Sequence, residues 1–259
     1  VRSLRVEDIK LLIAARKNGY ASVNQLRDAG LSEAVLERLA DADAFRSMNM
    51  DRRNALWHVS VKGHQPQALV HETHTEEGID LPVMQLSEHV VHDYAATALS
   101  LKAHPVSFVR DQLDQFRILS ASSLGKGMNG DYVKVAGLIL VRQRPGTASG
   151  ICFITIEDET GTANLVVFQK MFDKFRKEII QSKLIMVEGE LQIEGEVIHV
   201  IVKKCHNFSP LLGKLTASRD DSLALKHSRA DEKSSPFLDK KHSNDVIQGK
   251  IFPEGRNFR

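Results

Sequence analysis

A chain of 259 residues with 42% hydrophobic content has enough apolar material for one large or two small globular domains. With 35 basic against 33 acidic side chains the net charge is only +2, so global charge does not announce a nucleic-acid binder, and any such affinity must come from local patches. The cysteines, Cys152 and Cys205, stand far apart without a CxxC pair, which argues against a disulfide framework or a zinc site and fits reduced thiols in a cytoplasm. No apolar run approaches the roughly 20 residues that a bilayer span needs. The opening VRSLRVEDIKLLIAARKNG is an amphipathic helix with acidic residues, unlike a signal peptide. A soluble, cytoplasmic protein with no membrane partner is the expectation, and Val1 in place of Met fits either a fragment or an unusual start codon.

Residues 1–60 read as short helices joined by tight turns. Ile9, Leu12, Ile13 and Arg16 recur at helical spacing, and Asn18-Gly19 supplies a cap. Ser22 or Asn24 starts a second helix that Gly30 closes, and Ser32 caps SEAVLERLAD, whose Val35, Leu36 and Leu39 face inward. In ADAFRSMNMDRRNALWHV, Asn49 stands between two methionines, and Asp51 caps the next helix, which carries Ala55, Leu56 and Trp57. This is the skeleton of a helix-hairpin-helix, with Asn49 where the turn requires positive φ. Such a hairpin aims backbone N–H groups at a phosphate, and Arg46, Arg52 and Arg53 would assist. A helical packing module with a solvated basic face is the alternative reading.

Residues 61–130 read as linker and connecting helices. VKGHQPQALVHETHTEEGIDLPVMQ loses helical periodicity, SEHVVHDYAATALSLKAHP resumes as a helix capped by Ser87, and VSFVRDQLDQF forms a short helix. From Asp131 the period becomes two. DYVKVAGLILVRQRP is one long strand, ICFITIEDETGTANLVVF a hairpin turning at Glu159 to Gly161, and KLIMVEGELQIEGEVIHVIVKKC another turning at Glu194-Gly195. QKMFDKFRKEII lies between the hairpins as a helix. Five strands with a helix between the third and fourth is the order of an OB-fold over 131–208, with Gly137 bending the first strand. Residues 209–259 lack the apolar content for a core and read as a disordered, mobile tail. The fold class is thus α+β: a helical hairpin module, a five-stranded barrel and a tail.

No catalytic or metal-binding constellation emerges. His71 and His74, or His89 and His92, do not match HExxH, and an exposed histidine face explains the second pair. SLGKG at 123–127 lacks the rest of a P-loop and reads as a lead-in to the first strand, and Glu157, Asp158 and Glu159 read as turn residues because neighbours on a strand alternate faces. Arg142 and Arg144 flank the loop between the first two strands, from which OB-folds contact nucleic acid, and Phe153 could stack a base. Phe168 could do the same; the alternative places one or both rings in the barrel core, which is the better reading for Phe168, and Lys134, Lys203 and Lys204 read as solubilising residues.

GYASVNQLRDAGLSEAVLERLADADAFRSMNMDRRNALWHV, DYAATALSLKAHPVSFVR, VAGLILVRQRPGTASGICFITIEDETGTANLVVF and the GEVIHV hairpin together resemble the C-terminal third of bacterial error-prone DNA polymerases of the DnaE type (ImuC-like), related to the polymerase III alpha subunit. The closing GRNFR is similar to how such chains end. The resemblance implies template-directed nucleotide addition with Mg²⁺ by the full-length polymerase, in replication and damage-tolerant synthesis, from a palm that this stretch does not include. It implies no cofactor for the chain itself, and as partners duplex DNA, single-stranded template, other mutagenesis-complex proteins and the sliding clamp. Asn49 departs from the family's Gly, and PQALVH lacks the aromatic end of a clamp motif, which puts clamp binding through Gln67 to Val70 in doubt. The competing readings are a stand-alone OB-fold single-strand binder and a protein-interaction module.

Overall fold

The computed structural model describes residues 1–16, 19–62, 81–217, 252 and 256–258, in two units, Val1–Ser100 and Leu101–Arg259. In the first unit the spacing of apolar side chains sets the helices. α1 (Val6–Ala15) buries no side chain fully, and its partly covered Leu12 accepts a hydrogen bond at its carbonyl from the Tyr20 hydroxyl. Gly19, beyond it, takes φ +107°, which suits the expected cap, while Asn18 lies outside the described residues. α2 (Val23–Asp28) starts at Ser22, whose Oγ accepts from Gln25 N at 3.4 Å, and Gly30 at φ +91° turns the chain into α3 (Glu33–Asp41). Ser32 has the backbone of an N-cap but no side-chain cap bond. Leu26, Val35, Leu36, Leu39, Phe45, Ala55 and Val59 form the unit's core, each large aliphatic side chain contributing about 1.5–3 kcal/mol.

Asp51 Oδ1 accepts from Asn54 N at 2.8 Å and so caps α4 (Arg52–Lys62). α5 (Leu86–Thr97) is capped two residues earlier than expected: Gln85, not Ser87, is its N-cap, and Gln85 N donates to Glu88 Oε2 at 3.0 Å. Residues 63–80, including His71, His74 and the Gln67 to Val70 segment, lie outside the described residues.

The second unit opens with a 3₁₀ turn, Pro105–Val109, which runs into α6 (Arg110–Gln115), and a further 3₁₀ turn, Ala121–Lys126. Then comes the barrel: β1 (Tyr132–Gln143), β2 (Cys152–Asp158), β3 (Gly161–Val167), β4 (Leu184–Glu194) and β5 (Val197–Asn207). The strand order is β2-β3-β5-β4-β1, and β1 also pairs with β2, which closes the ring. β3 and β5 pair in parallel and the other neighbours are antiparallel.

β1 serves both sides of the closure because Gly137 lacks a side chain: a Cβ there would stand 2.7 Å from the Glu157 carbonyl oxygen. A bulge between Ile139 and Val141 supplies the remaining bend. The expected single helix between β3 and β4 is two, α7 (Gln169–Lys174) and α8 (Arg176–Gln181), broken at Phe175, whose φ −111° and ψ 28° are not helical. Ile154, Ile156, Leu165, Val187, Leu191 and Val202 fill the barrel from alternating positions.

The stretch expected to be tail carries ordered elements. α9 (Ser209–Ala217) buries Leu212 and Leu215, Phe252 is buried, and β6 (Arg256–Phe258) pairs in parallel with β1 at Val141–Gln143. Leucines three apart on one helix face and a buried phenylalanine provide the apolar anchoring that the average composition of the segment hides.

Candidate nucleic-acid interface

In the first unit Asn49 does adopt the left-handed backbone, at φ 57°, and Asp43 on the other side of the same turn does so too, at φ 58°. The turn therefore needs two tolerant residues, and its sequence offers an Asp and an Asn. Its basic side chains do not all point outward. Arg52 is fully buried: its guanidinium donates to Asp93 Oδ1 and, at 3.0 Å, to the His89 carbonyl. It joins α4 to α5 and is withdrawn from the phosphate contacts expected of it, because a buried, doubly engaged guanidinium cannot reach a ligand. Arg53 donates to the Pro82 carbonyl at 2.7 Å and to Glu88 Oε2 at 3.1 Å, another α4 to α5 tie. Arg46 pairs through Nε with Asp43 yet keeps over half of its side chain exposed, so it remains the cation of this hairpin that solvent sees.

His89 and His92 are half-buried, not an exposed face. The His89 ring lies 3.4 Å from Arg52, and burial, followed by the Arg52 charge, lowers the His92 pKa below the ordinary histidine value.

On the barrel, Arg142 also turns inward. It is buried, its Nε donates to the Ile179 carbonyl at 2.8 Å and its Nη2 to the Ser182 carbonyl, so it ties β1 to the end of α8 and is likewise withdrawn as a DNA contact. Arg144 lies with its guanidinium 4.4 Å from the centre of the Phe172 ring, an arrangement that holds the β1–β2 loop over α7. Gly150, at φ +78° against the Gln169 side chain, fixes the other end of that loop.

Phe153 is exposed on β2, as expected. Phe168 is a correction: it is 47% exposed, not core. Phe153 pairs with Val166 on β3, and Phe168 stands just past the end of that strand as the N-cap of α7, so both exposed rings belong to the β2–β3 region. Beside them Thr155 donates to Asn164 Oδ1 at 3.1 Å across the same pair of strands, and Gln143 pairs with Phe153. This outer surface offers exposed aromatic rings and the Thr155–Asn164 pair, a set that can stack bases and meet their edges, with the Glu157 carboxylate further along the same face of β2. Lys203 and Lys204 face carboxylates instead, Glu190 at 3.5 Å and Glu188 at 3.3 Å.

The acidic stretch 157–159 has a structural role. Asp158 is buried and accepts from Ala121 N at 2.7 Å, Thr160 N at 2.7 Å, Gly161 N at 3.1 Å and Arg110 at 3.1 Å. Glu159 accepts from the same guanidinium, from Nε and, at 2.9 Å, from Nη2. One carboxylate thus ties the β2–β3 turn to the segment that leads into β1. Burial raises the Cys152 thiol pKa and pushes that of Cys205 up to about 12, so both are protonated core side chains. Among the described residues no group of three or more His, Cys, Asp or Glu side chains could hold a metal ion. No helix among the described residues is long and apolar enough to cross a membrane.

Residues 133–207 match the family model described as tRNA_anti-codon, an OB-fold nucleic acid binding domain. The whole chain is 41% identical to Error-prone DNA polymerase 1 of Rhizobium meliloti and 42% identical to an error-prone DNA polymerase of Sinorhizobium medicae, covering 26% of each. It is 39% identical to that of Ruegeria pomeroyi, covering 24%. The chain therefore spans about a quarter of the length of these curated relatives. Among solved structures it is similar to asparaginyl-tRNA synthetase from Pyrococcus horikoshii, at 21% identity over 35% of this chain and 23% of that one, with a TM-score of 0.31. Over its full length, then, the chain is similar to a stretch of DnaE-like error-prone DNA polymerases about a quarter as long as they are, with an OB-fold inside it.

Proposed function

We propose that the chain is a non-catalytic, DNA-holding part of an error-prone polymerase, and that its barrel binds the single-stranded template during damage-tolerant synthesis. The observation that carries this reading is the exposed Phe153 and Phe168 pair of the β2–β3 region, in the stretch that matches an OB-fold nucleic acid binding domain. Two partly exposed phenylalanine rings leave faces on which bases can stack, and each stacked base supplies about 1–3 kcal/mol. The Mg²⁺-dependent chemistry of nucleotide addition belongs, in this proposal, to the portion of the relatives that this chain does not cover. In the first unit the exposed Arg46 and the Asn49 turn are the groups left to approach a duplex, a weaker grip than three outward cations would give.

Fluorescence anisotropy with a labelled single-stranded oligonucleotide tests the proposal. Phe153→Ala and Phe168→Ala should each weaken binding by about 5- to 100-fold, the range that one stacked base supplies. Affinity unchanged in both variants would remove the barrel face as the binding surface.

A further inference from the structure

β6 is too short to be anticipated from periodicity, and the proposed function makes no use of it. Its register is informative. Side chains of residues paired across adjacent strands point to the same side of a sheet. Arg256 pairs with Val141, Val141 with Thr155, and Thr155 with Asn164. Arg256 therefore extends the polar row of the β2–β3 face by two strands, and it does so from the far end of the chain. It is exposed, and no carboxylate among the described residues pairs with it. The other arginines near this face are engaged: Arg142 with two carbonyls, Arg144 with Phe172 and Arg110 with Asp158 and Glu159.

The strand is seated by more than its own ladder. Phe252 is 5% exposed and its carbonyl accepts from Lys183 Nζ at 2.7 Å, next to the point where Lys183's own carbonyl accepts from Ile139 N at 2.9 Å. An apolar anchor and a lysine thus hold the terminal segment where β4 no longer accompanies β1, since the β1–β4 pairing ends at Leu138 and Leu184.

We infer that the terminal strand is part of the nucleic-acid interface and that Arg256 is its phosphate-binding cation. The inference rests on the proposed binding face and adds a cation to it. Phe153 and Phe168 take bases, Thr155 and Asn164 meet base edges, and Arg256 meets the backbone of the same strand of nucleic acid where it crosses β1. A guanidinium suits this place because its fork of donors can bond two phosphate oxygens at once.

The test uses the full chain and a labelled single-stranded oligonucleotide, titrated at several salt concentrations. Each lost phosphate contact flattens the plot of log affinity against log salt by about 0.7 for a single strand. Arg256→Gln should weaken binding about fivefold at low salt, an effect of roughly 1 kcal/mol, with that flattening, whereas Arg256→Lys should keep the slope. Phe252→Ala, which leaves Arg256 in the chain, should reproduce the Arg256→Gln result and should speed amide hydrogen exchange over 141–143. Phe153→Ala should lower affinity with the slope intact. If Phe153→Ala weakens binding while Arg256→Gln changes neither affinity nor slope, the role of Arg256 is refuted and the binding face stands. If Phe153→Ala has no effect and Arg256→Gln still flattens the slope, the cation stands and the stacking surface falls. If neither variant changes binding, both are overturned.

Discussion

Arg52 offers the sharpest test of how the helical unit is built, because an external phosphate contact and an internal tie predict opposite results for the same substitution. The side chain is fully buried, paired with Asp93 and bonded to the His89 carbonyl at 3.0 Å. Arg52→Ala removes one member of a buried ion pair and leaves the Asp93 carboxylate with Ser100 Oγ at 2.7 Å as a remaining partner. Such removals cost about 3–5 kcal/mol, a large share of the roughly 5–15 kcal/mol of a whole domain. Trp57, the only tryptophan of the chain, lies on α4, so its fluorescence reports this unit without interference from the barrel. With a urea m-value of about 1–3 kcal/mol/M, the midpoint should fall by more than about 1 M. Replacing both partners, Arg52→Met with Asp93→Leu, should recover most of the loss, since apolar groups of similar volume need no counter-charge. A midpoint within about 0.3 M of the parent's for Arg52→Ala, a shift too small for a broken buried pair, combined with a flatter salt dependence of duplex binding, would refute the buried role and restore the phosphate contact.

The barrel has an equivalent point of failure at Asp158, where Asp158→Ala takes from Arg110 one of its two carboxylates and from the Ala121, Thr160 and Gly161 amides their shared acceptor. A loss of about 3–5 kcal/mol should appear as an earlier barrel transition by circular dichroism while the Trp57 transition stays in place, and a coincident shift of both would contradict it. Acidification supplies the third prediction. Burial lowers the His92 and His104 pKa values, in the latter case against the pull of Glu157, Glu159 and Asp158. The unfolded chain therefore binds these protons first, so stability is complete above the ordinary histidine pKa and falls as pH drops from about 7 toward 5. His92→Gln should flatten that fall in the Trp57 transition and His104→Gln in the barrel transition. Slopes unchanged in both variants would assign the pH dependence to other groups.

Most of the barrel was legible because its strands alternate and its turns carry Glu-Thr-Gly and Glu-Gly at the reversals, both of them local signals. The burial of two arginines was not legible, for a physical reason. Arg52 and Arg53 are adjacent and chemically identical, and only the arrival of Asp93, 41 residues later, makes one of them interior. Arg142 is likewise defined by carbonyls 37 and 40 residues away. Phe168 was misjudged because LVVF is apolar throughout: with no polar residue to mark the phase, the run does not say which of its side chains face in. The terminal strand had still less to show, three residues whose partner lies far back in the chain. Phe153, by contrast, stood between Cys152 and Ile154 in an unbroken alternation with Thr155 and Glu157, and its outward position followed from the period alone.

The way the ring of strands is closed also sets the order in which the molecule must assemble. The helical unit is built from neighbours in sequence, α2 on α3 and α3 on α4, contacts that form with little loop entropy to overcome. The barrel has no such shortcut: β1 must find β4 beyond the β2–β3 hairpin and both intervening helices, and β3 must wait for β5 to lie parallel beside it. Each of those pairings restricts a long stretch of chain before it yields any hydrogen bonds, and loop-closure entropy makes such pairings slower to form than the helical contacts. During that interval β1, apolar at most of its positions and without its ring, is the segment with most to gain from an alternative partner, and it marks where a newly made chain is most exposed to aggregation.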